Sequence, residues 1–193
     1  MVARVEPTTP VTEGESYLER FSSTDRIALH RGDVILTPMV SSGGGGAVTA
    51  HMFVPLQRGL IWPQLTTYRR WTQFFPNIAQ SEILETVKTG SQRYRRLYQV
   101  GCKGFMRLTA RVEIYLKVFE TACDTIQFPL EQGTLSHFAA DLELKDLPNG
   151  TLLTYMVQAK PTIPVPAFMV AQGMQLALPG NMRQMRQVLC AGQ

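Results

Sequence analysis

Cysteine is scarce in this 193-residue chain, and its three copies form no recognisable pair. Cys102, Cys123 and Cys190 are odd in number and far apart, with no CxxC spacing and no histidine at the spacing of a metal ligand. This pattern argues against a disulfide scaffold and against a structural metal site. We therefore expect reduced thiols and a cytoplasmic location.

Long hydrophobic runs are also missing. No segment approaches the roughly 18 apolar residues of a membrane span, and the first residues carry Glu6, Glu13 and Glu15 where a signal peptide would be apolar. Basic residues exceed acidic ones only by 19 to 15, which gives no reason to expect a nucleic-acid partner. Because 45% of the residues are hydrophobic, the chain can nevertheless bury a real core.

Familiar catalytic motifs are absent as well. There is no HExxH, no GxSxG and no defensible Cys–His arrangement, and the glycine run Gly43 to Gly46 is not followed by the GK[ST] of a phosphate loop. The histidines His30, His51 and His137 lie on separate segments, so we interpret each as a surface or rim residue. The sequence thus predicts no catalytic residue, no metal and no cofactor.

The chain divides into a tail and one domain. Residues 1–25 hold prolines, glycine and acidic residues without a burying periodicity, which predicts a flexible N-terminal tail before a single domain over residues 26–193. Ile27 to Leu36 is β-like on both sides of Gly32, and Ala47 to Val54 alternates like a strand. Between Leu56 and Phe75, Pro63 is expected to break the helical pattern into two short helices.

A series of strand-like stretches separated by short turns fills the next part of the chain, which indicates an antiparallel meander. Turns are expected at Thr89-Gly90, at Gly101 to Gly104, at Glu131 to Gly133 and at Pro148 to Gly150. The predicted strands are Ile78 to Val87, Arg93 to Val100, Met106 to Glu120, Asp124 to Leu130, Leu135 to Leu144 and Leu152 to Lys160.

The predicted sheet has one apolar face, which a helix must cover. Between Arg107 and Val118, apolar residues alternate with polar ones such as Arg107, Arg111 and Lys117. From Pro166 to Leu189 the apolar spacing is helical, with an interruption expected at Pro179-Gly180. The residues that carry this helical spacing are Leu178, Met182, Met185 and Leu189.

This order of elements resembles that of the START-like superfamily (SRPBCC). Several short sequence segments are similar to those of its polyketide cyclase/dehydrase and coenzyme-Q-binding branch. The residues that carry the resemblance are Val54-Pro55, Ile61-Trp62, Leu65, Tyr68 to Trp71, Phe74 to Pro76, Asn149 to Thr151, Thr154-Tyr155 and Pro161, within about Gly46 to Leu189. The resemblance implies an α+β helix-grip fold, in which a curved antiparallel sheet wraps around a long C-terminal helix.

The expected function is the binding or carrying of a hydrophobic small molecule, such as a lipid, a quinone or a polyketide-like compound, between sheet and helix. Arg96 is a candidate polar anchor if its face of the strand points inward, and Tyr155 is a second one. The alternative is a cofactor-free polyketide cyclase/aromatase or dehydratase that uses the same pocket. The candidate ligand-binding residues are Tyr94, Arg96, Tyr98, Val112, Ile114, Tyr155, Phe168 and Met169.

Charge placement leaves two interpretations open. Between Lys88 and Lys117 eight basic residues stand against Glu113 alone, whereas Glu120 to Asp146 holds six acids against Lys145. Pairing across neighbouring strands would cancel most of this charge. Without such pairing, the basic strands would make weak contact with an anionic membrane surface.

Overall fold

The computed structural model describes residues 13–39, 45–90, 92–105 and 108–191 of the chain. Two helices come first, α1 (Glu13–Leu18) and α2 (Ser23–Arg31), followed by strands β1 (Val34–Pro38) and β2 (Gly46–Val54). After β2 come α3 (Arg58–Leu65), a 3-10 turn (Tyr68–Arg70) and α4 (Trp71–Phe74). The remaining elements are β3 (Ile78–Thr89), β4 (Gln92–Phe105), β5 (Leu108–Thr121), β6 (Thr125–Gly133), β7 (Leu135–Leu147), β8 (Gly150–Pro161) and α5 (Ala167–Ala191).

The eight strands form one antiparallel sheet in the order β1-β2-β8-β7-β6-β5-β4-β3. Strands β3 to β8 follow one another through short turns, so the predicted meander is confirmed. The N-terminal pair β1 and β2 joins this meander through pairing of β2 with β8. The helix-grip fold class is therefore confirmed, with α5 packed on the concave inner face.

The burial of β5 and α5 follows the sequence pattern. On β5, Ile114, Leu116 and Val118 are buried in the main core. On α5, the four residues at the predicted helical spacing are all buried in the same core, where α5 meets β2: Leu178, Met182, Met185 and Leu189. The apolar stripe of the helix thus covers the apolar face of the sheet, as predicted.

The N-terminal segment corrects two expectations. The boundary between tail and domain at residues 25 and 26 falls inside α2, and Ile27 to Arg31 is helical rather than β-like. Helices α1 and α2 cover the outer face of β2, β7 and β8, where Leu29, Phe53, Leu147 and Leu152 form a second cluster. Residues 13–25 are therefore part of the fold, whereas residues 1–12 lie outside the described part of the chain.

Three local expectations are also wrong. Helix α3 runs through Pro63, and the chain leaves the helix only at Thr66. Helix α5 continues through Pro179 and Gly180 without interruption. Strand β4 extends to Phe105, so residues 101–104 form no turn. Pairing with β5 along the whole stretch, and of Gly101 with Ile78 of β3, keeps this glycine-containing part of β4 extended.

Candidate functional site

A cavity of about 480 Å³ lies between the inner face of the sheet and α5. Its volume falls in the usual range for a site that holds one small organic molecule. The lining is mostly aliphatic and aromatic: Trp71, Phe75, Ile78, Gln99, Gly101, Val112, Ile114, Leu135, Phe138, Tyr155, Val157, Ala159, Pro161, Met169, Val170, Gly173, Met174, Ala177, Leu178 and Asn181.

Small residues in the lining leave the space that forms the cavity. Gly101 lies on the inner face of β4, and a Cβ at this position would approach nothing closer than 3.7 Å. The space beside it is therefore cavity rather than packed core. On α5, Gly173 has no side chain and Ala177 only a methyl group, so little of the cavity is filled where the helix faces it.

Aromatic rings form one wall of the cavity. Trp71 and Phe75 are stacked with ring centroids 5.5 Å apart, and the ring of Tyr155 lies 5.7 Å from Phe75. The indole nitrogen of Trp71 donates a hydrogen bond to the Leu65 carbonyl at 2.8 Å, so it is not available to a ligand. This wall offers flat apolar surface for stacking.

Two inner-face side chains bring polar groups to this apolar lining. The Gln99 amide nitrogen donates to Ser81 Oγ at 3.1 Å, so its remaining acceptor is the carbonyl oxygen. The Tyr155 hydroxyl has no hydrogen-bond partner among the described residues. Every fully buried side-chain nitrogen or oxygen of these residues does have one. Tyr155 as a residue is 6% exposed, and the cavity is the space that it lines.

Burial has a clear electrostatic consequence for Tyr155. Desolvation, with a smaller contribution from the charge of Asp141, raises the pKa of Tyr155 above its usual value of 10.0. The hydroxyl is thus protonated at neutral pH and acts as a hydrogen-bond donor. Among the described residues, no carboxylate, histidine, lysine or arginine lines the cavity.

The entrance lies at the N-terminal end of α5. Met169 lines the cavity and is also 52% exposed, so the cavity meets solvent beside this side chain. Two further apolar side chains, Ile163 and Phe168, are exposed in the same short stretch of chain. The chain around the start of α5 thus exposes three apolar side chains.

Half of the residues predicted to bind ligand do line the cavity. Val112 and Ile114 contribute from β5, Tyr155 from β8 and Met169 from α5. The alternation on β5 identified the first two, because its apolar face is the inner face. Whether these four residues bind a ligand remains a prediction.

The prediction for β4 is wrong about the face of the strand. Leu97 and Gln99 pair with Leu116 and Ile114 of β5, which places them on the inner face. Tyr94, Arg96 and Tyr98 consequently lie on the outer face.

Each of these outer-face residues has its own partners there. Arg96 is held by Glu85 at 2.6 Å and by Glu131 at 2.7 Å. Hydrogen bonds to Glu85 and Glu131 raise the pKa of the Arg96 guanidinium. The Tyr98 hydroxyl donates to Glu113 at 3.2 Å. The ammonium of Lys117 lies over the ring of Tyr94.

Phe168 is a further correction. It is 70% exposed and does not line the cavity, although its neighbour Met169 does. The two side chains diverge because consecutive positions of a helix are separated by about 100°.

Sequence reasoning missed the aromatic wall and Gln99. The Trp71 and Phe75 cluster was visible as an aromatic group after the short helices, but nothing local placed it against the meander. Gln99 would have been predicted as a lining residue if the inward face of β4 had been assigned correctly. That face is set by pairing with β5, which is a long-range relationship.

His51 is the other misplaced residue. It is buried on the outer face of β2 rather than at the surface, and the ring of Phe21 lies 4.8 Å away. Its Nδ1 is 3.0 Å from Thr154 Oγ1. Burial lowers the pKa of His51 from 6.5 to about 4. The other two histidines, His30 and His137, are exposed, as predicted.

Three of the basic residues on these strands pair with neighbouring acids. Besides Arg96, Arg95 pairs with Glu120 at 3.5 Å and Arg111 pairs with Glu113 at 2.7 Å. These pairs favour the first interpretation of the charge pattern, cancellation within the sheet. Arg107, which the second interpretation also invoked, lies outside the described residues.

Within the described ranges, no helix is long and apolar enough to cross a membrane. The same ranges contain no group of three or more His, Cys, Asp or Glu side chains placed to hold a metal ion.

The family model for polyketide cyclase / dehydrase and lipid transport proteins matches residues 54–186, and the chain belongs to this family. The START-like (SRPBCC) resemblance is thereby confirmed. No curated protein matches the chain.

Several solved structures share the fold. The STAR-related lipid transfer protein of Xanthomonas axonopodis (fragment 25–204) is 14% identical, with a TM-score of 0.63 over 81% of this chain and 93% of that one. A START superfamily protein of Mycobacterium smegmatis is 21% identical, with a TM-score of 0.56 over 72% of this chain and 98% of the other. The Zhui aromatase/cyclase of Streptomyces sp. R1128 is 12% identical, with a TM-score of 0.55 over 74% of this chain and 92% of that one.

Proposed function

We propose that this protein binds and carries a hydrophobic small molecule in the cavity between the sheet and α5. The observation that carries the proposal is a cavity of about 480 Å³ whose lining is almost entirely apolar. Family membership supports it, because the family description includes lipid transport. A cytoplasmic location remains a prediction from the sequence.

A cofactor-free cyclase or dehydratase is the second candidate, since the family description also includes polyketide cyclase and dehydrase. Tyr155 supports it to the extent that a protonated hydroxyl in the cavity can polarise a substrate carbonyl. Proton removal, however, needs a base within hydrogen-bond reach. The described lining offers no carboxylate or histidine for this task, so binding is the favoured function.

Native mass spectrometry tests the proposal directly. Protein purified under mild conditions is expected to retain an apolar adduct, which is then extracted and incubated with fresh protein. Recovery of the compound unchanged supports a carrier. Conversion to a product that depends on Tyr155 supports the enzyme instead.

A cavity-filling substitution tests the position of the site, and a glycine substitution elsewhere provides the matched control. Gly101→Leu directs a side chain from the inner face of β4 toward the cavity, and its Cβ would meet no atom closer than 3.7 Å. This variant is expected to fold and to lose the adduct. Gly180→Ala adds a methyl group in open space on α5, and it should bind like the wild type. Full retention of ligand by Gly101→Leu would contradict binding in this cavity.

Contact with an anionic membrane surface remains a prediction with weaker support, because Arg95, Arg96 and Arg111 are paired within the sheet. Co-sedimentation with anionic and neutral vesicles at low and physiological salt tests it. Binding that requires anionic lipid and falls with salt would support the contact.

A further inference from the structure

The polar groups of the cavity carry no formal charge at neutral pH. Gln99, Asn181 and the Tyr155 hydroxyl are its uncharged hydrogen-bonding side chains, and the Trp71 indole is already bound to a carbonyl. The nearby arginines of β4 do not compensate, because Arg96 is held on the outer face and Arg95 pairs with Glu120. An anionic ligand would therefore be buried without a cation among the described lining residues, which is strongly unfavourable.

Tyr155 offers a recognition contact beside the aromatic wall of the cavity. Its hydroxyl has no partner among the described residues, whereas one N–H of the Gln99 amide is bound to Ser81 and the single N–H of Trp71 to Leu65. Burial raises the pKa of Tyr155, so the group presents a proton rather than an anion. Its natural complement is an acceptor that brings no charge, such as a carbonyl oxygen.

The surroundings of that hydroxyl favour a flat ring. The Tyr155 ring lies 5.7 Å from Phe75 and 6.5 Å from Trp71, so a molecule that reaches the hydroxyl also meets the aromatic wall. Stacking on such rings gives affinity without requiring polar groups.

We propose that the cavity selects an uncharged planar ring compound bearing a carbonyl group, that the Tyr155 hydroxyl donates a hydrogen bond to this carbonyl, and that carboxylates are rejected. This inference rests on the proposed hydrophobic-binding function and specifies its ligand class. Tyr155 is thus the residue that determines specificity.

Three probes with one ring system separate the contributions: fluorene, 9-fluorenone and fluorene-9-carboxylate. Affinities are measured through quenching of tryptophan fluorescence, for the wild type and for Tyr155→Phe. The fluorenone-to-fluorene affinity ratio isolates the carbonyl contact, because the difference in hydration between the probes is the same for both proteins. One neutral hydrogen bond corresponds to about a 5- to 10-fold change in this ratio.

We expect Tyr155→Phe to lower the ratio by that factor while fluorene affinity stays the same. Tyr98→Phe is the control, since it removes an outer-face hydroxyl bonded to Glu113 and should leave the ratio unchanged. Fluorene-9-carboxylate should bind the wild type at least about tenfold more weakly than fluorene.

An unchanged ratio in Tyr155→Phe, or carboxylate binding as tight as that of fluorene, would overturn this inference and leave the proposed function standing. If none of the three probes binds, the inference fails as well, whereas retention or absence of an apolar adduct in native mass spectrometry decides the hydrophobic-binding function.

Discussion

Arg96 donates from Nε to Glu131 Oε2 at 2.7 Å, across β5 and on the side of the sheet that faces away from the cavity. Glu85 on β3 binds the same guanidinium from the opposite direction, at 2.6 Å. Arg96, which the sequence suggested as a polar anchor for a ligand, is therefore an ion-pair link between neighbouring strands on the outer face. This arrangement keeps the charge of Arg96 away from the binding chemistry.

Arg96→Gln should leave ligand affinity unchanged and lower thermal stability only slightly. The pair is largely solvated, and exposed ion pairs contribute little. Parallel binding and thermal unfolding measurements check both statements, with Tyr155→Phe as the binding-defective comparison. A marked loss of affinity in Arg96→Gln would mean that the inner and outer faces of β4 are assigned the wrong way round.

Phe168 and Met169 should behave differently although they are adjacent. Phe168→Ala should leave dissociation of a bound fluorescent ligand unaffected, because that ring does not line the cavity. Met169→Ala widens the entrance and should speed dissociation by a few-fold, as loss of a side chain that excludes water usually does. Stopped-flow displacement measures both rates. Equal acceleration in the two variants would place the entrance elsewhere.

His51 should make the protein less stable as the pH falls. Its pKa is about 4 in the folded state against 6.5 as the usual value. Between these pH values the unfolded chain binds more protons, so the free energy of unfolding decreases on acidification, by at most about 1.4 kcal/mol per pH unit from this one group. Urea unfolding at several pH values measures the slope. His51→Gln should flatten it.

The exposed His137 supplies the control for this titration, since His137→Gln should keep the wild-type slope. Comparison of slopes also removes the contribution of carboxylates, which is common to all three proteins. If His51→Gln and the wild type have the same slope in this range, His51 is not protected from protonation by the fold.

Leu29 and Ile27 lie on the same helix, α2, one buried and one exposed. Substituting each in turn measures how much the packing of α2 contributes to the free energy of unfolding. Leu29 is 1% exposed and packs in the outer-face cluster, whereas Ile27 is 61% exposed. Leu29→Ala should lower the free energy of unfolding by about 2–5 kcal/mol, and Ile27→Ala should change it by less than about 0.5 kcal/mol. Chemical denaturation checks both values. Similar effects at the two positions would show that α2 does not pack as described.

The sequence predicted the elements whose pattern is complete within one segment. On β5, alternation from Val112 to Val118 determines which residues are buried, and on α5 the spacing from Leu178 to Leu189 does the same. Both patterns are strong because each element buries a continuous apolar face against the same core. Two of the eight candidate ligand residues, Val112 and Ile114, came from such a local pattern and line the cavity.

Helix α2 could not be found in that way, since Leu29 is its only buried residue and no apolar stripe results. Its available signal was the cap: the Asp25 amide donates to Ser22 Oγ at 3.1 Å, and Gly32 ends the helix with φ of 94°. The face of β4 was out of reach for another reason. Both faces of that strand carry tyrosine, arginine or glutamine, so only its pairing with β5 decides which side is inside.

Helices cover the two ends of the sheet unequally. Its two parts should therefore differ in how readily their backbone hydrogen bonds open. Strand β2 is buried along its whole length, with α5 on one side and α2 on the other. Strand β3 is a sheet edge and carries exposed side chains such as Leu84. Amide hydrogens of β2 should consequently exchange only on global unfolding, while those of β3 exchange through local fluctuations. The cavity wall built by β4 and β5 adjoins the second part, so local opening of this flank would expose the cavity while the rest of the fold stays closed.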